Sequence, residues 1–334
     1  MNSAPAPLAP LVDPQGRTIR YVRLSLTDHC NFQCSYCSPG AKPSREQMGR
    51  EEVRRLVSVL ATLGIERVRL TGGEPTLRHD IVDVVRDVAS IPGIQEIALT
   101  TNGHLLHRLA VPLREAGVAR LNVSLDTLDP VRMKTLSGPG ADLDRIVRGL
   151  EAAGRAGYLS LKLNTVVMKG VNDLELGAIA RFAWRHGAIA RFIELMPFGA
   201  AAQPVPVKDI ERLLEEQGIR LTPDATRGWG PARHMRGEAG EGTSTEAGLL
   251  GFIGAMTENF CAGCNRIRVG ADGALRSCLG GRDRVPLLDL LRSGAADAEI
   301  AARVRQALST KGERHDMAEA GPAKRLLPMI GTGG

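Results

Sequence analysis

The sequence predicts an α/β fold, an incomplete (βα)6 TIM-type barrel followed by a C-terminal extension that carries a second group of cysteines. Apolar, β-rich segments alternate with segments of helical period through the first two thirds of the chain. Glycines stand where the helices would end, at Gly64, Gly93, Gly117 and Gly157. Alternation of strand and helix makes a parallel sheet with right-handed crossovers, and six units are fewer than the eight of a closed barrel.

The strands and helices of this barrel are predicted from their apolar periodicity. The strands are expected over Tyr21 to Thr27, Arg67 to Thr71, Glu96 to Thr101, Arg120 to Leu125, Ser160 to Val166 and Ala190 to Met196. The clearest helices have apolar residues spaced i, i+3, i+4 or i+7, starting from Val53, from Ile81 and from Ile210. A further helical pattern covers Ala295 to Leu308.

Composition divides the chain into four regions. Residues 1–15 are rich in Pro and Ala and predict a disordered tail, and residues 16–227 hold the barrel pattern. Residues 228–245 are rich in Gly, Glu, Ser and Thr and predict a flexible loop, and residues 246–334 form a C-terminal region. The N-terminal residues lack the features of a signal peptide, and no apolar run approaches the roughly 20 residues that span a bilayer. We therefore expect a cytoplasmic protein.

Charge and composition narrow the class of ligand. A net charge of +6 over 334 residues is too small to demand a nucleic acid as partner, but it allows an anionic substrate. Aromatic residues make up only 3% of the chain, which argues against a protein that stacks single-stranded bases on aromatic side chains. The expected partners therefore include neither nucleic acid nor a membrane.

Six cysteines fall into two groups of three and provide the most informative pattern. The groups are Cys30, Cys34 and Cys37, and Cys261, Cys264 and Cys278. A reducing compartment and a large core argue against disulfides, and these spacings bring three thiolates to one metal centre. Because ordinary sites close four protein ligands, a group of three predicts a 4Fe-4S cluster with one open iron. Zinc closed by a fourth ligand such as His29, or buried reduced thiols, are the alternatives.

Polar or glycine-rich residues lie on or after every predicted strand. They include Cys30, Gly72-Gly73-Glu74, Thr100 to Gly103, Ser124 to Asp126, Lys162 with Asn164, and Glu194 to Pro197. Active sites of parallel barrels collect at the C-terminal ends of the strands. Each of these segments alone fits a turn or a helix cap, but six together predict one functional rim.

The first triplet resembles that of the radical S-adenosylmethionine enzymes. Its spacing is Cys-x3-Cys-x2-Cys, with Tyr36 before the third cysteine and Gly72-Gly73-Glu74 after the second strand. The second triplet is similar to that of the GTP 3′,8-cyclase family of molybdenum cofactor biosynthesis, in the run Phe260-Cys261-Ala262-Gly263-Cys264-Asn265-Arg266-Ile267-Arg268 and in Cys278-Leu279. This resemblance extends from about Arg20 to the terminal glycines, where Thr332 separates Gly331 from the final pair.

The resemblance implies a role for each matching residue. Cys30, Cys34 and Cys37 would hold a 4Fe-4S cluster that binds S-adenosylmethionine, and Cys261, Cys264 and Cys278 would hold a second cluster that binds guanine. Contact with S-adenosylmethionine is implied for Tyr36, Gly73, Ser124 and Met196. Contact with GTP is implied for Arg23, Arg67, Arg69, Thr100, Lys162, Arg191, Arg266, Ile267 and Arg268. The terminal Gly333 and Gly334 would enter the cavity and assist the radical step.

The reaction that the resemblance implies is a radical cyclisation. A 5′-deoxyadenosyl radical would take hydrogen from C3′ of the GTP ribose, and the carbon radical would attack C8 of the guanine. Reduction by one electron and protonation would then give 3′,8-cyclo-7,8-dihydroguanosine triphosphate. The implied partners are GTP, a reducing electron donor, a downstream cyclic pyranopterin monophosphate synthase and a second copy of the chain in a homodimer. Two other functions stay open at this point: a radical maturase that modifies a peptide, and a non-catalytic metal-binding module that acts on nucleic acid.

Overall fold

The computed structural model describes residues 9–37, 46–197, 202–226, 228, 230–240, 245–281, 283–315 and 317. The strands are β1 (Tyr21–Ser25), β2 (Arg67–Thr71), β3 (Glu96–Thr101), β4 (Val118–Ser124), β5 (Ser160–Val167), β6 (Ala188–Glu194), β7 (Ile219–Pro223), β8 (Arg233–Ala239), β9 (Glu246–Ile253), β10 (Arg266–Val269), β11 (Ala274–Arg276) and β12 (Val285–Pro286). The helices are α1 (Arg50–Thr62), α2 (Ile81–Ala89), α3 (Leu106–Ala116), α4 (Pro130–Ser137), α5 (Leu143–Arg155), α6 (Leu176–Arg185), α7 (Val207–Glu216), α8 (Leu288–Arg292) and α9 (Asp297–Leu308). Two short 3-10 helices cover Pro75–Leu77 and Cys261–Gly263.

The strands form one sheet in the order β12-β11-β10-β1-β2-β3-β4-β5-β6-β9-β8-β7. Strands β1 to β6 are parallel and follow one another in chain order. The C-terminal part of the chain extends this run at both ends, because β10 pairs in parallel with β1 and β9 pairs in parallel with β6. The carboxyl ends of β1 to β6 therefore meet at one edge, and the two C-terminal sections flank that edge.

The core lies between the sheet and the helices that cover it. In α1, for example, Val53, Leu56, Val57 and Leu60 are buried on one face, and each such side chain stabilises the fold by about 1.5–3 kcal/mol. Helix α4 begins at Pro130 because the carboxylate of Asp129 accepts hydrogen bonds from two backbone amides of its first turn. Within the described residues, no helix combines the length and the apolar character needed to cross a membrane.

The predicted strand–helix alternation over residues 21–196 is confirmed. Strands β2 and β3 have the predicted bounds, and the other four differ from prediction by one or two residues at their ends. The predicted C-terminal helix begins at Asp297 rather than Ala295. Terminal residues of an element carry weak signals because they lack the full set of neighbours that the periodicity reports.

The predicted flexible loop over residues 228–245 is wrong, because this segment contains β8. Strand β8 pairs antiparallel with both β7 and β9. One glycine of this segment is explained by packing: a Cβ on Gly237 would lie 2.8 Å from the Trp184 ring, and one on Gly248 of the neighbouring β9 would lie 2.3 Å from it. The glycine that contributed to the loop prediction thus makes room for the indole ring of a residue distant in sequence, and the composition of the segment does not show that contact.

The predicted disordered tail over residues 1–15 is wrong in its last residues. Leu11 is 1% exposed, and its backbone bonds to both Leu63 and Ile19. The carboxylate of Asp13 accepts hydrogen bonds from Gln15, Arg17 and the side chain of Arg17. A single buried leucine among prolines and alanines is too short a pattern for periodicity to detect. Residues 1–8 of the predicted tail lie outside the described part of the chain.

Candidate functional site

One cavity of about 300 Å³ opens at the carboxyl edge of the parallel strands, and the structure places both cysteine triplets in its wall. The triplets are Cys30, Cys34 and Cys37, and Cys261, Cys264 and Cys278, all of which carry free thiols. Two sets of three cysteine sulfurs are the donor chemistry that suits iron–sulfur clusters. His29, the alternative fourth ligand for zinc, is not among the residues that line the cavity.

Among the described residues, no three His, Cys, Asp or Glu side chains are grouped as they would be around one metal ion. In a cube of four irons each cysteine binds a different iron, so its ligands stand further apart than those of mononuclear zinc. The donor set of three cysteines at each triplet therefore fits an iron–sulfur cluster.

The first cysteine loop is held against the end of β2 by glycines. A Cβ on Gly73 would lie 2.2 Å from the carbonyl oxygen of His29, and one on Gly72 would lie 2.6 Å from that of Thr27. The backbone amide of Gly73 instead donates to Thr27, and that of Glu74 donates to His29. Only glycine allows this close approach of two backbones, so the Gly-Gly pair fixes the distance between the first triplet and β2.

Glu74 ties the ends of three strands together. Its carboxylate is 1% exposed and accepts hydrogen bonds from the Thr76 amide, the Thr101 hydroxyl and the Asn102 amide. Burial raises the pKa of Glu74, while these hydrogen bonds lower it. Asn102 in turn donates to Asn31 inside the cysteine loop. Glu74 is therefore a structural link between the loops after β1, β2 and β3.

The surroundings of the first triplet are acidic. Burial raises the pKa of Cys30 to about 11, and Glu74 adds to this effect. Burial, with the charge of Asp126, raises the pKa of Cys34 still further. Asp126 is itself buried, which raises its pKa to about 6, and it accepts a hydrogen bond of 2.7 Å from the Tyr36 hydroxyl. Burial and nearby carboxylates thus both disfavour the thiolate forms of Cys30 and Cys34.

The second triplet has basic surroundings. Burial raises the pKa of Cys264, but the charges of Arg266 and Lys311, together with hydrogen bonds from Arg266, outweigh burial, and the net shift is downward. The Arg266 guanidinium lies 3.8 Å from the Cys264 sulfur and stacks 5.1 Å from the centre of the Phe260 ring. Arg17 donates to the carbonyl of Cys261 over 2.7 Å and so anchors the start of this loop.

Arginines form a basic wall in the cavity that both triplets line. Five of them line the cavity: Arg23, Arg69, Arg191, Arg266 and Arg268. Strand register explains part of this set, because Arg23 of β1 pairs directly with Arg268 of β10 on one side and with Arg69 of β2 on the other. Residues opposite one another on neighbouring strands share a face, so three guanidinium groups are brought side by side.

Two asparagines orient the arginines of this wall. Asn164 accepts a hydrogen bond of 2.8 Å from the Arg191 Nε. Asn122, with its amide oxygen turned toward the guanidinium groups, accepts from Arg191 over 3.1 Å and also from Arg69. Thr100 accepts from Arg69 over 3.4 Å. These neutral acceptors fix the positions of the cations without neutralising them.

Burial and mutual repulsion disfavour the charged forms of the arginines in this wall. Burial, followed by repulsion from Arg69, lowers the pKa of Arg191 to about 9. Burial, followed by repulsion from Arg266, lowers the pKa of Arg268 to about 10. Burial and the charge of Arg268 also lower the pKa of Arg23. A polyanionic ligand would relieve this repulsion, since opposite charges favour the ionised form.

Most of the residues predicted to bind cofactor or substrate line this cavity. Tyr36, Gly73, Ser124, Met196 and Thr100 do so together with the five arginines. Arg67, Lys162 and Ile267 do not. Lys162 lies close enough to Arg191 and Arg69 for their charges, after burial, to lower its pKa to about 7. Ile267 is 1% exposed and packs in the core. The terminal Gly333 and Gly334 lie outside the described residues.

Sequence reasoning missed several residues of the site. Asn122 carries a signal, because Asn122 and Ser124 alternate along β4 as the inward positions should. Phe260 lies next to Cys261 in the sequence, but the sequence motif does not show that its ring packs against Arg266. Lys311 and Arg17 gave no signal at all, because each reaches the second cysteine loop from a distant part of the chain.

Comparison with known proteins agrees with this arrangement. Residues 24–183 match the family model of the Radical SAM superfamily, and residues 188–317 match the model described as Molybdenum Cofactor Synthesis C. The fold and the site thus define a radical S-adenosylmethionine enzyme, a class that uses a 4Fe-4S cluster and S-adenosylmethionine. The chain belongs to the GTP 3′,8-cyclase family.

The relatives cover nearly the whole chain. It is 41% identical to the GTP 3′,8-cyclase of Heliobacterium modesticaldum over 333 residues, which are 96% of this chain and 100% of the relative. It is 40% identical to that of Moorella thermoacetica, over 94% of this chain and 98% of the relative. Among solved structures, SuiB of Streptococcus suis bound to S-adenosylmethionine has a TM-score of 0.61 at 16% identity, covering 87% of this chain and 69% of SuiB. That last likeness is one of fold.

Proposed function

We propose that the protein converts GTP to (8S)-3′,8-cyclo-7,8-dihydroguanosine 5′-triphosphate, the first step of molybdenum cofactor biosynthesis, as the name of its relatives indicates. The observation that carries the proposal is that a single cavity is lined by two separate cysteine triplets and by five arginines. The triplets supply ligands for two clusters, and the arginines supply a site for a triphosphate.

The first triplet, Cys30, Cys34 and Cys37, would hold the cluster of the superfamily, and the second triplet would hold a further 4Fe-4S cluster. Tyr36, Gly73, Ser124 and Met196 would contact S-adenosylmethionine beside the first. When bound, the first cluster and S-adenosylmethionine supply the one-electron chemistry that removes hydrogen from C3′ of the GTP ribose. The open iron at the second triplet would hold the guanine. The close packing of Gly73 on His29 supports this arrangement, because it leaves backbone rather than side chain at the cavity wall.

The arginine wall would bind the triphosphate. GTP carries about four negative charges, and guanidinium groups bind phosphate oxygens bidentately. Arg23, Arg69 and Arg268 offer three such groups in one row, and Arg191 is oriented toward them by Asn122 and Asn164. Arg266 and Thr100, which also line the cavity, would contact the same substrate. Arg67, Lys162 and Ile267 stay predictions that rest on the resemblance alone.

Orientation is the main contribution of the protein to the cyclisation. The new bond joins C3′ and C8 of the same GTP molecule, so no side-chain nucleophile is required. Both ends of the substrate must be held so that these carbons meet, and a bound near-attack geometry supplies the required proximity. The guanine end would be fixed at the second triplet and the phosphate end at the arginines. Glu74 and Arg17 hold the loops on either side.

The proposed function also includes an interpretation of the fold, a role for the C-terminal glycines and a set of partners. The parallel run β1 to β6 is interpreted as the incomplete (βα)6 barrel, and the sections around β9 and β10 as the extension that carries the second cluster. Gly333 and Gly334 are proposed to enter the cavity. A reducing donor, a downstream cyclic pyranopterin monophosphate synthase and a homodimer are proposed as partners.

The test is an anaerobic assay of matched cysteine variants. The protein is reconstituted with iron and sulfide and supplied with GTP, S-adenosylmethionine and dithionite. Cys264→Ala is expected to release some 5′-deoxyadenosine but no cyclised product, because the radical chemistry remains while the guanine is not held. Cys34→Ala, the matched control in the other triplet, is expected to give neither product. Normal cyclisation by Cys264→Ala would refute the role of the second triplet.

A further inference from the structure

Lys311 lies just after α9, and its side chain contacts the second cysteine triplet. It is 3% exposed, with its backbone amide bonded to Leu308. Its Nζ donates to the carbonyl oxygens of Arg266 over 2.9 Å and Ser277 over 2.6 Å. The same Nζ lies 3.7 Å from the sulfur of Cys264. An ammonium group has three N–H donors, and each of the three finds one acceptor here.

These acceptors place Lys311 at the centre of the second loop. Arg266 begins β10 just after Cys264, and Ser277 immediately precedes Cys278. The ammonium therefore joins the two segments that present the last two cysteines of the triplet. Loss of this link would free Cys264 and Cys278 to move relative to each other.

The charge of Lys311 is matched by sulfur. In the described part of the chain its Nζ contacts two neutral carbonyls and one thiol, with no carboxylate in hydrogen-bonding distance. A buried ammonium is costly unless an anion accompanies it. The group here that can become an anion is Cys264, as thiolate or as cluster ligand. Cys34 of the first triplet, by contrast, contacts the neutral hydroxyl of Ser137 over 3.5 Å.

We infer that Lys311 is a positioning residue for the second cluster, which it holds through Cys264 and whose midpoint potential its positive charge raises. The inference rests on the proposed function, since it requires a cluster at the second triplet. Reduction adds negative charge to a cluster, and a fixed cation beside a ligand sulfur stabilises the reduced form more than the oxidised form. Net charge and hydrogen bonds to sulfur are among the determinants of cluster potential.

The experiment isolates the second cluster. The parent is the full chain with Cys30, Cys34 and Cys37 replaced by Ala, reconstituted anaerobically and titrated with dithionite under EPR detection. Lys311→Gln keeps two N–H donors for the carbonyls and removes the charge, Lys311→Met removes both, and Lys311→Arg keeps the charge. Lys208→Met removes an exposed lysine of α7 as the control for net charge. Iron content and the melting temperature of the apo-protein are measured for each.

The expected result is a downward shift of the midpoint potential in Lys311→Gln and Lys311→Met, with Lys311→Arg and Lys208→Met near the parent. If the uncharged variants bind no cluster, retention of iron by Lys311→Arg alone supports the inference. Equal midpoint potentials in Lys311→Gln and the parent, both with full iron content, overturn the inference. Equal loss of iron and equal lowering of the melting temperature in all three Lys311 variants also overturns it, because that result indicates a structural role only. A parent that binds no iron overturns this inference together with the proposed second cluster, whereas an insensitive potential overturns this inference alone.

Discussion

Replacing Gly73 with Ala is a direct test of how the first cysteine loop is positioned. The added Cβ would lie 2.2 Å from the His29 carbonyl oxygen and 3.0 Å from that of Asp28. Ordinary contact begins at about 3.4 Å, so the loop after β2 must separate from the cysteine loop by about 1.2 Å. Both neighbours are backbone, so no side-chain rotation relieves the clash. Overpacking of this kind costs about 1–3 kcal/mol in stability.

A displacement of this size should affect catalysis more than folding. A misplacement of about 1 Å can cost about 100-fold in rate, and we expect Gly73→Ala to form 5′-deoxyadenosine about 100-fold more slowly. The assay measures 5′-deoxyadenosine and iron content after anaerobic reconstitution. The control is Gly154→Ala in α5, where a Cβ meets nothing closer than 3.8 Å. Cleavage of S-adenosylmethionine by Gly73→Ala at the rate of Gly154→Ala would show that the close approach does not matter.

Three further predictions concern charge and packing. Burial first, and then the charge of Arg191, lowers the pKa of Lys162 from 10.5 to about 7. Between these pH values the unfolded state binds more protons than the folded state, so the free energy of unfolding should rise from pH 7 to about 10. Denaturant titrations at each pH should show this rise in the parent but not in Lys162→Met. Asn122→Ala removes the acceptor shared by Arg191 and Arg69, so the KM for GTP should rise about tenfold, consistent with hydrogen bonds to charged groups; an unchanged KM contradicts this. Gly248→Ala drives a Cβ into the Trp184 ring and should lower the free energy of unfolding by about 1–3 kcal/mol, and a melting temperature equal to that of the parent would contradict the packing argument.

The sequence predicts those parts of the fold that repeat or that have a local cause. The apolar period shows α1 through Val53, Leu56 and Leu60, and strand alternation shows β2 and β3 with correct bounds. The cysteine spacing shows two groups, because each group is local. All six cysteines do line one cavity, but this convergence depends on β10 pairing with β1, across more than 240 residues of chain. No periodicity reports such a pairing.

The errors have the same origin. The loop prediction missed β8 because Gly237, the glycine of that strand, packs against the Trp184 ring, which is distant in sequence. The tail prediction missed Leu11 because one of its backbone partners, Leu63, lies 52 residues further along the chain. Lys311 contacts Cys264 from beyond α9. Residues whose role is set by contacts distant in sequence are the ones that composition and spacing cannot identify.

The two triplets differ in their electrostatic surroundings, although their spacing alone predicts similar clusters. Asp126 and Glu74 accompany the first, and Arg266 and Lys311 accompany the second. This difference is consistent with the proposed division of roles, in which S-adenosylmethionine binds at the first triplet and an anionic nucleotide binds near the second. The basic wall of the cavity continues this gradient through Arg268 and Arg23.

The central claim, that GTP is held in this cavity with its ribose within reach of the cofactor bound at the first triplet, is tested most directly with GTP deuterated at C3′. The reconstituted protein is incubated with this substrate, S-adenosylmethionine and dithionite, and the 5′-deoxyadenosine is analysed by mass spectrometry. We predict that 5′-deoxyadenosine gains one deuterium for each cyclised nucleotide formed. Cyclised nucleotide accompanied by unlabelled 5′-deoxyadenosine, or labelled 5′-deoxyadenosine with no cyclised nucleotide, contradicts the account.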